Sequence, residues 1–111
     1  MSGWSGGYVS DIDYLPWFFP LQAPAHLGLA LAIAGVEHAM AAEDFAFCDL
    51  GCGVGLTAGT VAAANPRARV WAVDFNPGHI ALARALATEA GLANITYLEA
   101  DFAELAAAPP P

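Results

Sequence analysis

From residue 46 onward, short and mostly apolar runs alternate with alanine-rich stretches of helix length. Ala46-Phe47-Cys48-Asp49-Leu50 is such a run; it ends in glycines and reads as a buried strand. Gly51-Cys52-Gly53-Val54-Gly55 is a turn, and residues 56–64 read as a helix stopped by Asn65-Pro66. Residues 69–74 give a second strand. Asn76 is a good N-cap and Pro77 a good first helical residue, so a helix runs to about residue 90, with Gly91 just past its end. Residues 95–99 form a third strand, and residues 102–107 a last helix before Pro109-Pro110-Pro111. Strands alternating with helices of this length imply an α/β architecture of parallel strands joined by right-handed crossovers.

The first 24 residues follow another rule. Trp4, Tyr8, Tyr14, Trp17, Phe18 and Phe19 are interleaved with Pro16, Pro20 and Pro24. Prolines at this density prevent a long helix, while so many aromatics call for a surface to pack on. Residues 1–24 therefore read as an arm and 25–111 as the domain proper. Pro24 fits the first turn of a helix over about 25–42, apolar nearly all round and expected to be covered. The Ala/Pro tail from 106 reads as linker or truncation edge.

Composition narrows the partners. Hydrophobic residues make up 58 %, enough for a packed core. There is no lysine; Arg67, Arg69 and Arg84 face eleven acidic residues, for a net charge of −8. Nucleic acid and anionic membranes need clustered basic residues, so neither is an expected partner. The N-terminus lacks the charged and apolar regions of a signal peptide. The most apolar run, 27–36, is ten residues long, whereas a membrane span needs roughly 20. A soluble cytoplasmic protein is expected. Cys48 and Cys52 have no second Cys/His pair, so no metal site is expected and the thiols read as inert. His26, His38 and His79 read as surface or partly buried, with no triad-like spacing.

The chemistry concentrates in Asp49-Leu50-Gly51-Cys52-Gly53-Val54-Gly55-Leu56-Thr57. A glycine turn at the carboxyl end of a first parallel strand is where open α/β sheets bind ligands, and glycine lets the backbone approach one closely. The dinucleotide fingerprint G-x-G-x-x-G is not met: Leu56 stands at its third glycine and the register is G-x-G-x-G. Asp49 beside the turn suits a cationic ligand better than a pyrophosphate.

This segment resembles motif I of class I S-adenosylmethionine-dependent methyltransferases. The resemblance implies that Gly51, Cys52, Gly53 and Gly55 shape the turn along the methionine part of S-adenosylmethionine, with Asp49 positioning its amino end. Asp74, 21 residues after Gly53, is similar to the family's acidic residue for the ribose hydroxyls; a carboxylate's two acceptor oxygens suit a cis-diol. Phe75 would lie along the adenine edge. Asp101 and Phe102 resemble the pair that meets the adenine amino group and ring, although Asp101 also fits a helix N-cap with Glu104 completing a capping box. The arm segment 7–14 resembles the lead-in of an uncharacterised bacterial group of these enzymes, with Tyr8 and Tyr14 read as packing aromatics before cofactor contacts.

The implied fold is a partial Rossmann-like three-layer sandwich: the first three parallel strands of a seven-stranded sheet ordered 3-2-1-4-5-7-6, preceded by an arm and a helix. A fourth strand has no counterpart, which leaves the first strand with an open edge; self-association or pairing with a missing C-terminal half is expected. The implied reaction is methyl transfer by direct displacement to a small-molecule or glycan acceptor, without a metal and with no catalytic residue identifiable. The alternatives are an NAD(P)-binding Rossmann oxidoreductase fragment and a non-catalytic interaction module.

Overall fold

The apolar runs do form strands, and the glycines and caps set their ends. The computed structural model describes residues 17–38 and 42–108. Tyr8, Tyr14, the rest of the arm before Trp17, and the terminal prolines lie outside the described residues. β1 (Ala46–Leu50), β2 (Arg69–Asp74) and β3 (Ile95–Glu99) form a parallel sheet in the order β1-β2-β3. Between them run α2 (Leu56–Ala64) and α3 (Pro77–Glu89), with α1 (Pro24–Ile33) before the sheet and α4 (Phe102–Ala107) after it. This is the α/β, partial Rossmann-like fold expected.

Strand register decides which side chains share a face. Phe47 pairs with Val70 and Ile95, and Asp49 with Ala72 and Tyr97. That face receives both crossover helices: Ala58, Val61 and Ala62 of α2 and Ile80, Ala83 and Ala87 of α3 bury against Val70, Ala72 and Tyr97. The small alanines let the helices sit close to the sheet. The opposite face carries Cys48, Leu50, Trp71 and Val73; Val73 is buried, whereas Leu50 is 56 % exposed.

Gly55 and Tyr97 fix how α2 meets the sheet. Gly55 is the N-cap of α2 at φ +74°, and a Cβ there would overlap the Tyr97 ring. The Tyr97 hydroxyl donates to the Gly55 carbonyl at 3.1 Å, so the ring is held where the glycine leaves room. Burial pushes the Tyr97 phenol up to about 12, so it stays protonated and keeps donating.

The two sheet edges differ. In a parallel ladder, alternate residues of a strand bond to opposite neighbours. Phe45 and Gly51 bond to β2, so the peptide groups of Ala46, Cys48 and Leu50 face away from it along the open edge of β1. On β3, Arg84 reaches from α3 and donates to the Tyr97 carbonyl at 2.7 Å. A guanidinium on an edge carbonyl blunts that edge.

The first helix departs from the expectation of a covered helix over 25–42. It ends at Ile33 because Gly35 takes φ +75° and the Val36 N–H bonds back to the Leu31 carbonyl, which closes the turn. Its main contact is the 3-10 turn Pro20–Gln22 just before it, and Ile33 is 80 % exposed. An apolar circumference therefore does not imply cover by this sheet.

At the amino ends of the strands, Asn94 acts as a staple. Its Nδ2 donates to the carbonyls of Ala62, Asn65 and Ala68 at 3.0, 2.9 and 3.0 Å, while its own backbone carbonyl accepts from Val70 N–H. One residue thus joins the end of α2, the following turn and the start of β2. Replacing Asn94 by Ala leaves these carbonyls short of a donor and should lower the unfolding free energy by about 1–3 kcal/mol. Urea denaturation measures this directly, and a change under about 0.5 kcal/mol, the range of an ordinary surface substitution, would contradict the staple.

Candidate functional site

The strand order places three carboxyl-terminal turns side by side: residues 51–55 after β1, 75–76 after β2 and 100–101 after β3. They open onto one cavity of about 570 Å³. This size lies within the range of small-molecule sites.

The first turn is built by backbone geometry that only glycine adopts readily. Gly51 and Gly53 have φ of +76° and +60°, and no atom lies within 4 Å of a Cβ placed on either. The Gly51 and Cys52 N–H groups both donate to the Val73 carbonyl, at 2.7 and 2.9 Å, which ties the turn to the end of β2.

Asp74 makes the second tie. It is only 8 % exposed. Its Oδ2 accepts from Gly53 N–H and its Oδ1 from Asn76 N–H, both at 2.9 Å. Each oxygen keeps a further acceptor position. His79, in the first turn of α3, brings Nδ1 to 3.7 Å from Oδ1. Asn76 caps α3 by accepting from the Gly78 and His79 N–H groups, as its residue type predicts.

Asp49 and Asp74 stand near the carboxyl ends of adjacent strands and border the same cavity. Burial, and then the Asp74 charge, push the Asp49 carboxyl above its ordinary value. The Cys52 thiol rises to about 12, first through burial and then through Asp49 and Asp74, and Cys48 is raised as well. Both thiols are protonated near neutral pH, and neither is a ready nucleophile or metal ligand. Among the described residues no group of three potential metal ligands forms.

The third turn ends in a capping box. Asp101 Oδ1 accepts from Glu104 N–H at 2.7 Å, and Glu104 Oε1 accepts from Asp101 N–H at 3.2 Å. Asp101 nonetheless lines the cavity, so the two readings of this residue coexist.

Of the residues singled out in the sequence, Asp49, Gly51, Cys52, Gly53, Asp74, Phe75, Asp101 and Phe102 line the cavity. Gly55 stands apart: its role here is the close approach to Tyr97, inside the fold. The structure adds contributors that sequence reasoning does not assign to the site, from the arm and from the first turn of α2. Trp17, Phe19 and Thr57 also line the cavity; the signal for the first two is an aromatic arm that needs a surface. His79 beside Asp74 is a further addition. Its position five residues on, just inside a capped helix, is the available signal.

A family model described as a methyltransferase domain matches residues 47–110. The uncharacterized protein sll1526 of Synechocystis sp. is 35 % identical over 101 residues, covering 91 % of this chain but 20 % of that protein. In structure, PKMT2 from Rickettsia typhi superimposes with a TM-score of 0.72 at 24 % identity, over 76 % of this chain and 16 % of PKMT2. Coclaurine N-methyltransferase, bound to N-methylheliamine and SAH, superimposes with a TM-score of 0.53 at 26 % identity, over 69 % of this chain and 21 % of that one. The chain thus spans about a fifth or less of the length of these relatives. No described helix is long and apolar enough to cross a membrane. The glycine turn and its carboxylate partners fall within the matched region, and the chain belongs to the methyltransferase domain family.

Proposed function

We propose that this chain is the S-adenosylmethionine-binding part of a methyltransferase whose acceptor is a small molecule or glycan. The observation that carries the reading is the pairing of a glycine cradle with carboxylates. Space lies open around Gly51 and Gly53, and Asp49 and Asp74 border the same cavity. A pyrophosphate would add negative charge beside an Asp49 whose ionisation already suffers from Asp74. A ligand with cationic ends and a diol relieves that tension. This disfavours the NAD(P) alternative on electrostatic grounds, as Leu56 does on register. The SAH in coclaurine N-methyltransferase supports the same cofactor class.

In this reading Asp74 presents the remaining acceptor positions of its two oxygens to the ribose hydroxyls, aimed by the Gly53 and Asn76 N–H groups. Asp49 faces the ammonium end, and Phe75 and Phe102 flank the adenine. Asp101 offers its remaining acceptor capacity to the adenine amino group. When bound, S-adenosylmethionine supplies an electrophilic methyl on a sulfonium sulfur. Protonated Cys48 and Cys52 are poor competitors for that methyl, since the thiolate is the reactive form. The chain's own contribution to rate is alignment and exclusion of water. The reading takes no nucleic acid as partner, in keeping with Arg67 paired with Glu43, Arg69 donating to the Asp44 carbonyl and Arg84 donating to the Tyr97 carbonyl.

Asp74→Ala should weaken S-adenosylhomocysteine binding by about 1.5–3 kcal/mol for each charge-assisted hydrogen bond removed. Calorimetry alongside thermal melting separates this from unfolding, and an unchanged dissociation constant in a folded variant would reject the ribose role. Asp49 gives a pH test with a definite sign. Its folded pKa is raised, so its contribution to stability is present at low pH and is lost as pH rises through that pKa. Asp49→Asn should therefore raise the melting temperature at neutral pH, with the difference fading on acidification, and should weaken cofactor binding. In the unaltered chain, affinity should fall as acidification protonates Asp49, starting at a higher pH than for an ordinary aspartate. A neutral-pH variant that melts lower and binds as well as the original would contradict both halves.

A further inference from the structure

We infer that Thr57 is a positioning residue that holds the Trp17–Phe19 segment in place as a wall of the cofactor cavity. Thr57 is the second residue of α2 and is buried, at 4 % exposure. Its hydroxyl accepts from Phe19 N–H at 3.0 Å and donates to the Trp17 carbonyl at 3.4 Å. Both bonds go to one segment, 38 and 40 residues away in sequence. Departure of the segment would break both bonds at once, because donor and acceptor partners of the hydroxyl lie on the same three residues. The clasp thus favours one placement of the segment.

What the clasp positions is aromatic. Trp17 and Phe19 line the same cavity as Asp49 and Asp74, yet are 66 % and 51 % exposed. Gln22, at the end of the 3-10 turn that follows, lines it too. Large aromatic faces beside a cavity bordered by carboxylates suit a ligand that is both cationic and apolar-bodied, through cation–π attraction and burial of ring area. Thr57 lies just after the glycine turn, so the segment that cradles the ligand backbone-first also anchors its outer wall. The inference rests on the cofactor reading above and adds the arm to that site.

The test is binding of S-adenosylhomocysteine by calorimetry to the unaltered chain, Thr57→Val, Thr57→Ser, Trp17→Ala and the Thr57→Val/Trp17→Ala double variant, each with a thermal melt. Valine keeps the shape and removes the hydroxyl; serine keeps the hydroxyl. Thr57→Val should raise the dissociation constant about five- to tenfold, the worth of one to two hydrogen bonds, and Thr57→Ser should restore it. The double variant should bind no more weakly than the worse single variant, because both changes remove the same wall. Exchange of the Phe19 amide should quicken in Thr57→Val and stay slow in Thr57→Ser. Unchanged binding by folded Thr57→Val, or fully additive losses in the double variant, would overturn the inference alone. Failure of the unaltered chain to bind S-adenosylhomocysteine would overturn the cofactor reading and this inference with it.

Discussion

The Asp74 carboxylate joins two of the three turns from which the cavity is made. One oxygen holds the glycine turn after β1 through Gly53, and the other holds the start of α3 through Asn76. Because the group is nearly buried, these backbone donors replace water, and the side chain has little freedom to point elsewhere. The parallel register makes this possible: β2 lies between β1 and β3, so the residue at its carboxyl end is within reach of its neighbours' turns. The Val73 carbonyl reinforces the junction by accepting from Gly51 and Cys52, and the Asp74 carbonyl accepts from Ala100 N–H, which draws in the third turn. Two successive residues of β2 thereby organise all three turns.

The same arrangement carries an electrostatic cost. Asp49 loses water and feels the Asp74 charge, and its carboxyl is raised accordingly. A chain with net charge −8 and three arginines has little positive charge to offset this locally. Such tension at a cavity is characteristic of functional sites, where stability is given up for affinity toward a complementary ligand. The core is arranged differently, with small alanines under the helices and the tight Gly55–Tyr97 contact supplying rigidity beneath the turns. Rigid support below and like charges above are the features on which the proposal of a cationic ligand rests.

Much of this is legible in the sequence because it is local. The strands at 46–50, 69–74 and 95–99 appear with those bounds, since glycine, Asn-Pro and capping residues mark their ends in the sequence itself. Asn76 and Asp101 cap as their residue types and spacing imply. A helix over 25–42 overshoots because apolar character continues past Gly35, whose left-handed φ ends the helix at Ile33. The cover expected for that helix fails for another reason: hydrophobicity says that a face tends to be buried, but not which element buries it. The particular contacts that distant residues make are much harder to read. Asn94 reaches three carbonyls 26 to 32 residues away. Thr57 meets the arm, and Tyr97 fills the space Gly55 leaves. Gly55 does sit in the turn, as its spacing implies, but its partner is the core and not the cavity.

Joined through β2, the three strand-end turns are proposed to form one cofactor site organised by Asp74. The most direct measurement is the amide NMR spectrum of the isotope-labelled chain during titration with S-adenosylhomocysteine, with NAD as a parallel titrant. The account predicts saturable shifts concentrated at Gly51, Gly53, Asp74, Phe75, Asp101 and Phe102 with S-adenosylhomocysteine and none with NAD. Shifts confined to other parts of the chain, or a stronger response to NAD at these same amides, would contradict it.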